Sequence, residues 1–161
     1  MTDKSIHANP NKHRTPRHRA REFALQGIYQ WLLNASDARA VVANIRNAHG
    51  FEKADGEHFT ALVMGTIKQV ESLREVIAPC LDRPLQDISP VEHAVLLIAV
   101  YELREHPEVP YRVVINEAVE LTKSFGGSDG HKYVNGVLDK LAPRLRAVEV
   151  AGPQAADSEE E

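Results

Sequence analysis

Four arginines, Arg14, Arg17, Arg19 and Arg21, stand within eight residues in the run RTPRHRARE. A guanidinium is a planar fork that engages two phosphate oxygens at once, so such a cluster at the mouth of a helix suits a nucleic acid. A solvated, solubilising terminus has the same composition, and charge alone leaves both readings open. A second cluster lies near the other end of the chain, where Ser128, Asp129, Gly130, His131, Lys132, Tyr133 and Asn135 crowd one expected helix start. Free backbone N–H groups at a helix mouth attract phosphate. Lys132 adds counter-charge there, and Tyr133 offers a flat ring on which an unpaired base can stack. The plain alternative is a capped helix with Tyr133 half buried and Asn135 bonded locally.

The remaining reactive residues point away from catalysis. His7, His13 and His18 are spaced by six and five, with no H-x-x-x-H pair or cysteine cluster beside them, so no metal site is expected. Cys80, between Pro79 and Pro84, is the one cysteine; it excludes an internal disulfide and fits packing in a reducing cytoplasm. His93 beside Glu92, and His131 near Asp129, point apart on a helix and make poor acid/base pairs. The glycine-rich stretch GGSDG, 126–130, lacks a preceding strand and the dinucleotide fingerprint, so it reads as a turn. No catalytic residue and no cofactor are expected.

The elements that must position these clusters are all helical. Residues 1–16 lack any period and read as a flexible basic arm, with a helix starting just after Pro16. Ala20, Phe23, Ala24, Gly27, Ile28 and Trp31 give that helix one buried stripe, ending over Asn34 to Asp37. A short helix behind Asp37 and a longer one after Asp55 follow. The longer stripe, Phe59 to Leu73, can run on to Ile77, with a break allowed over 68–72. Ser89, Pro90 and Glu92 have the spacing of a reciprocal capping box ahead of a central helix that is apolar almost all round. After Pro107 and Pro110 another helix runs through Val114, Ala118, Leu121, Thr122 and Phe125, with Gly126 and Gly127 suited to a left-handed stop. Ser128 can cap the last helix, which ends over 143–145. Residues 147–161 read as a disordered acidic tail, leaving 17–146 as the domain.

Length and composition agree with one soluble all-α domain: 161 residues, 43% hydrophobic and 26% charged. The formal net charge of −4 hides an asymmetry, since Lys4, Lys12 and the four arginines face only Asp3 over residues 1–21, whereas the last fifteen residues hold five acids and no base. Local charge, not the net value, decides where a polyanion docks. The opening residues contain no apolar export segment, so a cytoplasmic protein with no membrane contact is expected.

Three blocks, RHRAREFALQGIYQWLL, ISPVEHAVLLIAVYEL and VPYRVVINEAVELTKSFGGSDGHKYVNGVLDKLAP, together resemble the NusB family of bacterial transcription antitermination factors over residues 17–145. The closing block is the most specific. The resemblance implies a compact bundle of about six to seven helices in two small subdomains sharing a core, without enzymatic activity. It implies binding to boxA RNA, pairing with NusE (a small-subunit ribosomal protein), and work with other Nus factors and RNA polymerase in reading through terminators of ribosomal RNA operons. Carried over by position, Arg17, Arg19 and Arg21, with Arg14 ahead of them, correspond to the family's arginine-rich RNA-binding start. His18 stands where a further arginine is common, which weakens the phosphate clamp. Asp129, Lys132 and Tyr133 match positions implied to meet RNA, with Tyr replacing the more usual Phe. Tyr29 and Glu92 match positions implied to meet NusE, although Glu92 competes as a capping carboxylate and Tyr29 as a half-buried core residue. A homodimer with a merely solvated arm is the rival reading. A methyltransferase-linked domain is a third, against which stands the lack of a cofactor loop.

Overall fold

A computed structural model describes residues 14–127 and 129–152. Thr15 Oγ1 accepts the His18 N–H at 3.0 Å and Pro16 supplies the first helical φ, opening α1 (Pro16–Asn34). Ala35 closes it in the left-handed region at φ 50°, donating its N–H to the Trp31 carbonyl at 2.7 Å. After α2 (Ala38–Arg46), whose Asp37 makes no side-chain cap bond, Asp55 caps α3 (Gly56–Lys68) through the His58 N–H. The long apolar stripe beyond is two helices, because the ladder breaks at Gln69 before α4 (Val70–Ile77). Three single 3-10 turns, Phe51–Lys53, Ala78–Cys80 and Leu85–Asp87, fill loops. Then come α5 (Pro90–Glu105), α6 (Tyr111–Phe125), α7 (Gly130–Leu145) and α8 (Ala147–Ala151).

The core is organised by α5, in which ten consecutive residues, Ala94 to Leu103, are buried. Helices α1, α3, α4, α6 and α7 all pack on it; α1 to α3 also pack on one another, as α6 does on α7. One buried cluster therefore runs through both groups. Each fully buried Leu, Ile or Phe in it, such as Phe59, Leu96 and Leu97, stabilises the fold by about 1.5–3 kcal/mol. The α3–α5 contact requires glycine: a Cβ on Gly65 would fall 2.1 Å from the Tyr101 ring.

Several expectations need correction. The all-α bundle has eight α-helices among the described residues: the break allowed over 68–72 falls at Gln69, and α8 is the one helix not foreseen. Residues 147–151, expected in the disordered tail, are that helix. It is anchored by the buried Arg146, which donates to the carbonyls of Leu103 (2.6 Å) and His106 (2.9 Å) and to Glu149. Neither Gly126 nor Gly127 is left-handed. Gly126 is extended at φ −100°, and what demands a glycine is crowding, since a Cβ there would lie 2.8 Å from the Thr122 carbonyl oxygen. The capping box forms by half: Ser89 Oγ accepts the Glu92 N–H at 3.1 Å, but the Glu92 carboxylate turns toward Gly130, 2.9 Å from where a Cβ would stand. Of the expected flexible arm 1–16, residues 1–13 lie outside the described residues, as do the cap Ser128 and the tail from 153, whereas Thr15 and Pro16 open α1.

Candidate nucleic-acid interface

Helical geometry separates the four arginines. Residues two apart on a helix point to nearly opposite sides, so Arg19 cannot share a face with Arg17 and Arg21. Arg14 and Arg19 line a surface cavity of about 550 Å³ together with Glu22, Phe23, His49, Lys53 and Phe125. Its only carboxylate, Glu22, accepts from Arg14 at 2.8 Å, leaving Arg19 and Lys53 without an ion pair among the described residues. Arg17 lies elsewhere and donates to Asp55 at 3.1 Å. The His58 N–H and then Arg17 hold the Asp55 carboxyl below its usual range.

Arg21 is the one arginine the structure removes from the phosphate-binding set. Its side chain is 4% exposed and engages Glu102 with both Nε (2.9 Å) and Nη2 (2.5 Å), while Nη1 lies 3.7 Å from Glu117. His58 bonds the same Glu102 at 3.0 Å. Burial pushes the Glu102 carboxyl up, but the hydrogen bonds from His58 and Arg21 outweigh it and hold it at about 2. Burial alone would lower the Arg21 pKa, yet Glu102 leaves it raised. His18 likewise faces inward, with Nδ1 2.5 Å from Glu117 and Nε2 3.7 Å from Glu22, so its ring is engaged by carboxylates rather than forming an outer clamp.

The second cluster forms at the start of α7. Asp129 and Lys132 are exposed and 3.8 Å apart, whereas Tyr133 is half-buried. The Tyr133 hydroxyl, beside Asp82, makes no hydrogen bond of normal geometry among the described residues, and burial pushes its pKa up. Over its ring, 4.5 Å from the centre, lies the Arg83 guanidinium. Glu92, half-buried and near both Arg83 and Gly130, therefore belongs to this cluster rather than to a separate exposed flank. The two clusters approach through Phe125, which lines the cavity and precedes Gly130 by five residues, a reach of at most about 18 Å. Sequence reading missed Lys53, Arg83 and Phe125. Only Phe125, inside the quoted closing block, carried a local signal; Lys53 and Arg83 are brought in by tertiary packing.

A third feature is apolar. Tyr29 is 36% exposed and Leu33, one turn later on α1, is 57% exposed. The pair forms a strip suited to a protein partner. Among the described residues no helix is long and apolar enough to cross a membrane.

Comparison with known proteins covers nearly the same stretch as the sequence resemblance. The chain matches the model of the NusB family over residues 18–143. It is 58% identical over 136 residues to the transcription antitermination protein NusB of Paraburkholderia phytofirmans, covering 84% of this chain and 94% of that one. It is 55% identical over 152 residues to the protein of the same name from Ralstonia nicotianae, covering 94% and 98%. Among solved structures, NusB of T. maritima superposes with a TM-score of 0.72 at 28% identity, covering 81% of this chain and 92% of that chain. A crystal structure of the antitermination factors NusB and NusE in complex with double-stranded RNA matches with a TM-score of 0.72 at 23% identity, covering 80% and 97%, and shares the fold.

Proposed function

This chain belongs to the NusB family, and on that premise we propose that it is a transcription antitermination factor, an adaptor that grips boxA RNA and recruits NusE without catalysing a reaction. Read-through of ribosomal RNA operons by RNA polymerase, together with other Nus factors, is the activity this adaptor serves. The observation that carries the reading is the cavity in which Arg14, Arg19 and Lys53 oppose a single carboxylate beside Phe23 and Phe125, five residues of chain from the α7 mouth. Cations hold a backbone and aromatic rings take bases, which is the combination that single strands need. In this reading Arg19, Lys53, Lys132 and Tyr133 carry the RNA contacts, Arg14, paired with Glu22, and Arg17, paired with Asp55, are peripheral, and Asp129 borders the path.

Tyr29 offers the aromatic anchor for NusE, with Leu33 beside it. The same exposed strip favours a second reading, a homodimer that buries it. Fluorescence titration of boxA RNA, a scrambled strand and a boxA duplex, each with and without NusE, tests the proposal. The expected result is preference for unpaired boxA, tightened by NusE. Equal binding to all three RNAs overturns sequence recognition, and a dimer that persists unchanged in the presence of RNA and NusE supports the second reading.

A further inference from the structure

The tyrosine ring expected to receive a base is already covered. Arg83 lies in the loop between α4 and α5, far from α7 in sequence, yet its guanidinium carbon is 4.5 Å from the Tyr133 ring centre. Asp82 accepts from Arg83 Nε at 2.9 Å, which fixes one edge of the guanidinium. Both Nη groups make no hydrogen bond among the described residues, and the side chain is 47% exposed. The guanidinium thus lies against an aromatic ring and is held at Nε by a carboxylate, while its Nη groups make no hydrogen bond among the described residues.

We infer that the outer face of the Arg83 guanidinium, backed by Tyr133, is the stacking platform for an unpaired base at the α7 mouth. The inference rests on the RNA-binding reading above and names a residue that reading does not use. Three chemical facts support the assignment. Bases stack on arginine planes as they do on aromatic rings. A guanidinium is weakly hydrated, so covering its face costs little. The Nη groups, which make no hydrogen bond among the described residues, keep donors for the phosphate that follows the base. Direct stacking on Tyr133 would instead require breaking the cation–π contact first.

The test uses the full-length protein and a boxA strand carrying the fluorescent adenine analogue 2-aminopurine, whose emission is quenched on stacking. Arg83→Lys keeps the charge and loses the plane, whereas Arg83→Ala loses both. Arg83→Lys should abolish the quench and weaken binding roughly five- to hundredfold, the range for loss of one stacked base. Arg83→Ala should do the same and also reduce the salt slope by about 0.7, the share of one phosphate contact on a single strand. A wild-type quench in Arg83→Lys overturns the inference. So does tighter binding with a deeper quench in Arg83→Ala, which would make Arg83 a cover over Tyr133. Arg19→Ala and Lys132→Ala run alongside: if they weaken binding while both Arg83 variants do not, this inference fails and the RNA reading stands. If none of the four changes binding, the RNA reading itself fails.

Discussion

Arg21 illustrates how one residue changes meaning between sequence and structure. In the run RHRARE it looks like part of a phosphate clamp, yet it stands three, four and seven residues before Ala24, Leu25 and Ile28, all buried, so the helical period already sets it on the inner face. Its partner had a signal too, because Glu102 is the lone charge in the buried stretch VLLIAVYEL and a buried carboxylate needs a cation. Neither signal specifies the pairing, which joins residues 81 apart. Removing one member leaves an uncompensated buried charge, so Arg21→Ala should cost about 3–5 kcal/mol of stability. Arg19→Ala should leave stability unchanged and weaken RNA binding. Acid behaviour provides a second check on Arg21. The Glu102 pKa in the folded state, about 2, lies below its ordinary value of 4.5, so the folded state binds fewer protons. Its stabilising contribution is complete above about 4.5 and declines as pH falls toward 2. Without the Arg21 cation the folded pKa rises toward the ordinary one, and this decline flattens. Urea denaturation from pH 2 to 6 on both proteins measures the two effects. Parallel acid limbs, or a loss below 1 kcal/mol, would contradict the buried-pair account.

Helix boundaries were legible wherever the stop or start signal is local. Thr15–Pro16, Asp55 and Ser89–Pro90 each place a side-chain oxygen next to the first free N–H groups, and each opens a helix as expected. The start of α6 is different, because Pro110 occupies the N-cap position and has no side-chain acceptor. The missing acceptor comes from Glu149, 38 residues later, whose Oε2 receives the Tyr111 N–H at 2.8 Å while Oε1 binds Arg146. No local pattern encodes that bond, which is why 147–151 looked like tail. An acid at a helix N-terminus also meets the favourable end of the helix dipole. Glu149→Ala should therefore destabilise the protein by about 1 kcal/mol, the usual worth of an N-cap. It should also raise amide hydrogen exchange in the first turn of α6. Unchanged exchange at residues 111–114 would mean that α8 packs without capping.

At the scale of the whole molecule, the all-α architecture could be read from the periodicities and the absence of strand patterning. The candidate interface could be read only in part. Its α7 half is contiguous in sequence, but its cavity half gathers Arg14 and Arg19 from α1, Lys53 from a loop and Phe125 from the end of α6. Such a gathering follows from the packing of α1 against α3 and α6, not from any one segment. The formal net charge is −4, so the field of the whole chain does not attract a polyanion at long range and binding must come from this local patch. Among the described residues Arg19 and Lys53 carry no ion pair, and Lys132 and Arg83 pair only with exposed carboxylates. Four phosphate contacts to a single strand give a slope of log affinity against log salt of roughly −3. The contribution of the basic residues before Arg14 can be separated from this by removing residues 1–13. If the described patch is the main grip, that deletion leaves a slope near −3, whereas a slope falling to zero would assign the electrostatic grip to the removed residues and leave the cavity only its bases to hold.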